Sequence, residues 1–315
     1  MEFGYHYHSF DHEKPYFDSI VDRIQWLEAV GFEWVSVMDH LWQIDINGYA
    51  DDPFFESYTT LGGVAASTDR LTIGPLVTCP LYRNPGLLAK MLTTLDHLSD
   101  GRIVFGIGAG WAEHEFKAYD YEFPPPAERV ARMEETIEIA KALWTDPSPV
   151  SYDGDYYKLD NVVFEPPPRQ SPHPPVLVGG GGEQLTLRVV AKHADYWNIP
   201  SASSSVFDRK LHVLKEHCEA VGRDFDDIDV VGHNWVVLAD ETERAHERYE
   251  ELQSDTEAGP TPRDEHRGLV GTSAEVAEAL EEYRDLGVEQ FIIKPPKGDD
   301  QTLERFVDEV LPQFG

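Results

Sequence analysis

The run Trp34-Val35-Ser36-Val37-Met38 ends on Asp39-His40. An imidazole titrates near neutral pH and a neighbouring carboxylate can orient a ligand or balance a charge, so this pair suits proton transfer at a strand end. The other reading of His40 is a strand-capping histidine bonded to backbone. Two further strand-like runs end in glycine: Arg102 to Phe105 leads into Gly106-Ile107-Gly108-Ala109-Gly110-Trp111, and Val176 to Val178 into Gly179-Gly180-Gly181-Gly182. Glycines there let backbone approach a ring or a phosphate closely. Bare amides ahead of a helix form an anion cradle. Taken singly, each glycine block also fits ordinary turn chemistry. His6 and His8 alternate on the first apolar run, which puts both imidazoles on one strand face, as two ligands of one metal require. That metal-hydrolase reading needs further ligands at later strand ends, where only Asp195 and His233 offer any. The alternative places both histidines in the floor of the site.

Such residues act together only if strands deliver their ends to one rim. Eight apolar runs, near 2–7, 34–38, 71–78, 102–107, 175–179, 195–199, 228–238 and 289–294, alternate with amphipathic segments such as Tyr16 to Val30, Pro85 to Leu98, Ala127 to Trp144, Leu185 to Lys192, Val206 to Val221 and Ala274 to Leu286. Alternation of this kind predicts an α/β fold, a (β/α)8 TIM barrel in one domain spanning 1–315, with chemistry at the C-terminal rim of the sheet. Residues 145–175 interrupt the pattern with a hairpin turn at Tyr152 to Tyr156 and proline clusters at 166–168 and 172–175, which reads as an insertion between barrel strands. The Pro-, Gly- and charge-rich stretch 254–270 reads as a flexible loop, with the substrate pocket expected between it and the insertion.

Composition narrows the partners. Acidic residues number 58 against 26 basic, a formal charge of −32, and nucleic acid and anionic membranes are disfavoured. Only 10 of the basic residues are lysines, a balance suited to a protein kept soluble in concentrated salt, and a halophilic source is expected. Cys79 and Cys218 are too few for a disulfide framework or a zinc site. The opening Met1-Glu2-Phe3-Gly4 lacks a basic, apolar leader, and no stretch approaches the ~20 apolar residues of a membrane span. A cytoplasmic protein acting on a small molecule, without a metal, is the expectation.

In order and spacing, Asp39-His40, Gly106 to Trp111 and the block from Gly179 to Ala194-Asp195-Tyr196-Trp197-Asn198 resemble the bacterial luciferase-like superfamily of flavin and deazaflavin oxidoreductases, over about residues 2–240. Asp100-Gly101-Arg102, Gly106 to Trp111 and Pro124 to Arg129 are similar to the branch that uses coenzyme F420, with FMN the alternative cofactor. The resemblance implies that Asp39 bonds the cofactor ring and that His40 sits near the hydride-carrying carbon as the proton donor or acceptor. It implies a non-prolyl cis peptide at Leu76–Val77 behind the ring, with Thr78 and Cys79 at the ring's pyrimidine end. Gly108, Ala109, Gly110 and His114 would line the cofactor, with Gly179, Gly180, Gly181 and Gly182 on its side-chain phosphate. His6, His8, Trp42, Trp111, Trp197 and Asn198 are the candidates for the substrate pocket, with core packing the other reading of the three tryptophans. Glu113 shares with His114 the reading of a cofactor or proton contact or of a helix start. Arg169 and Arg188 are candidates to meet the acidic tail of F420, Arg188 being equally a solvated helix residue. Trp111 departs from the sugar-phosphate dehydrogenases of the superfamily, which carry a carboxylate there, and the basic cluster that would hold a sugar phosphate is not evident. The family habit implies a homodimer through helices beside strands two and three.

Overall fold

The computed structural model describes residues 1–10, 16–260 and 268–315. Its strands in chain order are β1 (Glu2–Tyr7), β2 (Trp34–Val37), β3 (Thr72–Pro75), β4 (Phe105–Ile107), β5 (Val150–Asp153), β6 (Lys158–Val162), β7 (Val176–Gly179), β8 (Tyr196–Pro200), β9 (Asp229–Leu238), β10 (Leu269–Gly271) and β11 (Val288–Lys294). Eight of them pair in parallel in the order β3-β2-β1-β11-β9-β8-β7-β4. The bridges Ile73 to Ile103 and Thr78 to Ile107 join the two ends, so the sheet closes into the expected barrel. Glycine makes that last seam possible. A Cβ on Gly74 would lie 2.4 Å from the Val104 carbonyl oxygen, and one on Gly106 would lie 1.9 Å from that of Pro75.

Alternation along the strands separates two apolar layers. Trp34, Leu76, Val104, Leu177, Val231 and Ile292 fill the barrel interior. Their neighbours, such as Val35, Ile73, Phe105, Val178, Trp197 and Phe291, face the helices. The helices are α1 (Tyr16–Ala29), α2 (Ser57–Ser67), α3 (Pro85–Leu98), α4 (Glu113–Ala118), α5 (Pro126–Thr145), α6 (Thr186–His193), α7 (Ser204–Val221), α8 (Thr242–Gln253), α9 (Ser273–Asp285) and α10 (Asp300–Arg305). Local chemistry sets several of their ends. Asn84 caps α3 with Pro85 in the first turn, Gly222 ends α7 in the left-handed region at φ 72°, and Thr272 with Glu275 forms a capping box on α9. No helix among the described residues is long and apolar enough to cross a membrane.

The insertion at 145–175 is a hairpin of β5 and β6, but it does not border the cavity at the rim. Its turn is pinned on α5 by Glu135, which accepts from the amides of Asp155, Tyr156 and Tyr157, and by Tyr152 donating to Glu138. Its exit runs over α3, where Lys90 and His97 bond the Glu165 and Pro167 carbonyls. The pocket therefore does not lie beside it, because backbone amides and helix carboxylates hold it against the outer layer. Of the loop expected at 254–270, residues 261–267 lie outside the described residues. Its first part docks on the β2–α2 connection, with the Glu257 and Ala258 amides donating to Gly48 and Asp45.

Candidate active site

A cavity of about 440 Å3 opens at the C-terminal rim, within the ~300–1,000 Å3 range of small-molecule sites. One wall is the seam of β3 and β4. The Leu76–Val77 peptide is cis, and Val77 packs into space that glycines leave open: a Cβ on Gly108 would lie 2.6 Å from Val77 Cγ2, and one on Gly179 2.8 Å from Val77 Cγ1. Gly110, at φ 74°, lies where a Cβ would be 2.9 Å from Cys79 Sγ. Leu76, Val77, Thr78, Cys79, Gly108, Ala109 and Gly110 all line this wall. Arg129 braces it from α5, donating to the Gly110 and Pro124 carbonyls across the Phe123 ring. The second motif arginine, Arg102, works at the opposite end of the barrel, bonding the carbonyls of Ala65, Thr68, Leu71 and Ser99. Thr78 Oγ1 is 2.6 Å from the Tyr58 hydroxyl. Burial pushes the Cys79 thiol up to about 12, so it stays protonated and is no nucleophile.

His40 stands at the edge of the wall. Its Nδ1 is 2.8 Å from Glu115 Oε1, while Glu115 Oε2 accepts from the Tyr82 hydroxyl at 2.7 Å and from the Leu41 amide at 3.3 Å. Glu115 itself is fully buried. With a carboxylate accepting at Nδ1 the ring proton is held there, leaving Nε2 as the acceptor nitrogen of an imidazole that borders the cavity. The strand-capping reading of His40 does not match this arrangement, since its recorded partner is a side chain on α4. Trp111, 57% exposed, lies edge-on to His40 at 5.4 Å.

Asp39 also borders the cavity, but its carboxylate is largely engaged. Arg83 donates to both oxygens at 2.7 and 2.9 Å, and the Cys79 amide donates to Oδ2 at 2.9 Å. Burial raises its pKa against the opposing pull of Arg83. Three donors leave this carboxylate room for one more, so a ring N–H can still be accepted.

Facing the seam wall, β1, β9 and β11 supply His6, His233, Trp235 and Lys294. His6 Nδ1 meets Ser36 Oγ at 2.9 Å, and burial together with neighbouring His233 and Lys294 holds the His6 pKa well below the ordinary value. Met38, Ile44 and Ile46 supply apolar surface, and Asn198 borders the cavity while its Nδ2 donates to the Val231 carbonyl.

Several expected residues are placed elsewhere. Trp197 is fully buried outside the barrel, packed on Phe207 of α7 with its Nε1 bonded to the Gly180 carbonyl, because it alternates with inward-facing Asn198. Trp42 packs against His114 and Tyr119 with tilted rings, beyond the cavity lining. His8 bonds the His6 carbonyl and borders a smaller cavity with Pro295 and Lys297. Gly179 and Gly180 border the main cavity and Gly181 and Gly182 do not. The Gly180 amide is spent on the Asn198 carbonyl, and Lys210 beside the block bonds the Gly181 carbonyl and Glu183. Arg188 is exposed on α6, and Arg169 pairs with Asp100 at the far end of the barrel. Of the further ligands the metal reading needs, His233 lies beside His6, with ring centroids 4.9 Å apart, whereas Asp195 bonds the Val176 amide at the N-terminal end of β7; among the described residues the group of three with converging ligand atoms is Glu134, Glu138 and His193, on outer helices.

Glu115, Arg83 and Lys294 were not singled out in the sequence. For Glu115 a signal existed: Ala112 and Phe116 are buried, and helical spacing places Glu115 with them, whereas the more conspicuous Glu113 and His114 point to solvent. Lys294 ends an alternating strand in phase with inward Ile292. Nothing local marks Arg83.

Comparisons with known proteins bear on the family and the fold. The sequence profile of the luciferase-like monooxygenases matches residues 1–290. An F420-dependent glucose-6-phosphate dehydrogenase of Intrasporangium calvum is 30% identical over 323 residues, covering 93% of each chain. The uncharacterized protein Rv0953c of Mycobacterium tuberculosis is 35% identical over 169 residues, 54% of this chain and 58% of that protein, so the match spans under two thirds of that relative. An F420-dependent secondary alcohol dehydrogenase in complex with an F420-acetone adduct superposes with a TM-score of 0.83 at 20% identity, covering 100% of this chain and 99% of the other. A type II Baeyer-Villiger monooxygenase of Pseudomonas putida, in complex with FMN, does so with a TM-score of 0.77 at 17% identity, covering 100% and 99%. At these identities the superpositions show the shared barrel.

Proposed function

The chain belongs to the luciferase-like monooxygenase family, and from that premise we propose that it is an oxidoreductase using coenzyme F420 to move a hydride to or from a small organic substrate. The observation that carries the reading is the glycine-lined wall of Val77, Gly108 and Gly110 beside an imidazole whose Nδ1 is held by a buried carboxylate. The 30% identity with an F420-dependent dehydrogenase across 93% of both chains favours the deazaflavin.

The residues fit such a cofactor. Val77, Gly108, Ala109 and Gly110 offer a flat apolar face, Asp39 has one acceptor position left, and of the four-glycine block Gly179 and Gly180 border the cavity. Bound F420 supplies the two-electron centre that accepts or releases hydride. His40 Nε2 takes the proton that a substrate oxygen loses as the hydride departs, and returns it in the opposite direction. Glu115 fixes the tautomer and stabilises the imidazolium. Val77 and the glycine wall orient the ring, while Ile44, Ile46 and Trp111 limit water at the reacting centre. Glucose 6-phosphate is not proposed as the substrate, since Trp111 replaces the acid of the sugar-phosphate dehydrogenases.

The second reading is an FMN-dependent monooxygenase, favoured by the fold shared with the FMN complex. Parallel titration of the protein with oxidised F420 and FMN, followed by quenching of each fluorophore in low and high salt, tests the choice. Tighter binding of F420 is expected; preference for FMN moves the assignment to the monooxygenase, and binding of neither refutes both.

A further inference from the structure

The strand order places two chemically different walls face to face. With the barrel closed between β3 and β4, the strands diametrically opposite are β11 and β9. Lys294 is the last residue of β11, in register with Trp235 of β9, and is 6% exposed. Its ammonium sits 4.0 Å from the centroid of the Trp235 ring, and no described residue hydrogen-bonds or ion-pairs with it. Beside it lies His233, 9% exposed, with neither ring nitrogen bonded to any described residue. The His6 and His233 rings are 4.9 Å apart, and His8 follows His6 at 6.3 Å with an Nε2 that no described residue bonds.

A buried ammonium without a counter-ion is costly, and so is a buried imidazole with both nitrogens idle. The chain carries 58 carboxylates, yet among the described residues the charged neighbours that shift these histidines are one another, His40 and Lys294, all basic. Burial drives Lys294 down to about 7, with no carboxylate among the described residues opposing the shift. This wall is arranged as though its anion arrives from outside.

We propose that Lys294 and His233, backed by His6, form the subsite for an anionic oxygen group of the substrate, a carboxylate or a phosphate. The assignment to substrate rests on the reading above, in which the cofactor ring occupies the opposite wall at β3 and β4. The substrate then spans the barrel mouth, its acidic group on β11 and β9 and its reacting carbon between the ring and His40. Trp235 and Ile44 flank an apolar body, and the group that fixes the anion lies away from the reacting centre, which orients the substrate without taking part in proton transfer.

The test is calorimetric titration of the whole protein, with and without saturating F420, using benzoate, inorganic phosphate and neutral benzamide at equal ionic strength. Benzoate or phosphate is expected to bind at least tenfold more tightly than benzamide, the tighter of the two identifying the group. Lys294→Met should abolish that preference and His233→Gln should weaken it, with circular dichroism and F420 affinity unchanged; Lys294→Gln serves where the methionine variant misfolds. Anions binding no better than benzamide, or a preference that survives Lys294 replacement, overturns the subsite. Anion preference without F420 binding removes the cofactor reading and leaves the subsite standing; F420 binding without anion preference does the reverse.

Discussion

At the scale of single residues the chemistry rests on His40 and the carboxylate behind it. Removing a general acid or base costs roughly 100-fold or more in rate, so His40→Ala is expected to lower turnover by that factor with cofactor affinity within a few-fold, as single-turnover and titration data will report. Glu115 acts through His40. Glu115→Gln should lower kcat by about 10- to 100-fold with KM little changed, by analogy with the loss of a carboxylate that orients a metal-bound histidine. In a His40→Ala background the same change should add almost nothing, because the two act as one unit; additive losses would separate them. Lys294 carries the pH signature. Its pKa falls from 10.5 to about 7 on burial, so below pH 7 both folded and unfolded chains hold the proton and folding bears the full cost of burying the charge. Between 7 and 10.5 the unfolded chain binds more protons, and stability from this group rises with pH. Denaturant midpoints should show wild type gaining on Lys294→Met across that interval; a constant gap would place the ammonium in solvent.

At the scale of elements, the end of β3 is the piece on which the site depends. Val77 occupies volume that Gly108 and Gly179 vacate on two neighbouring strands, so the shape of the wall is a three-strand fit rather than a property of one loop. Gly108 has no need of a left-handed backbone, and its substitution is a purely steric test. Gly108→Ala is expected to displace Val77 into the cavity and weaken cofactor binding by about tenfold or more, in line with overpacking costs of roughly 1–3 kcal/mol. Adding Val77→Ala should recover part of the loss. Failure of the double variant to recover would mean that the wall is set by backbone alone. The β5–β6 hairpin behaves differently: it is fastened to α3 and α5, away from the rim, so trimming it should affect stability more than substrate choice.

At the scale of the whole molecule, a net charge of −32 on 315 residues implies strong self-repulsion in dilute buffer. Most of the ion pairs among the described residues that involve these carboxylates are solvent-facing, such as Lys117 with Glu113 and Lys158 with Asp153, and contribute little. Raising salt from about 0.1 M to about 3 M shortens the screening length to a few ångströms, and the melting temperature should climb by several degrees. A flat or falling Tm would remove the case for adaptation to high salt. Screening should leave the buried Arg83–Asp39 and His40–Glu115 pairs almost untouched, so F420 affinity is expected to vary less with salt than stability does.

The sequence by itself determined the barrel, because period-two apolar runs alternating with 3.6-period segments leave few other ways to bury both sets of faces. It also determined the rim, since Asp39-His40 and the glycine blocks terminate those runs. Alternation counted one residue further separates Asn198 from Trp197 and sets Lys294 inward beside Ile292. The closed sheet decided which residues meet. Glu115 reaches His40 across 75 positions and Arg83 reaches Asp39 across 44. The basic wall faces the glycine wall only because β3 and β4 close the circle opposite β11 and β9. Spacing along a chain encodes which face a side chain takes; which faces converge is set by strand order and closure, and those exist only once the chain has folded.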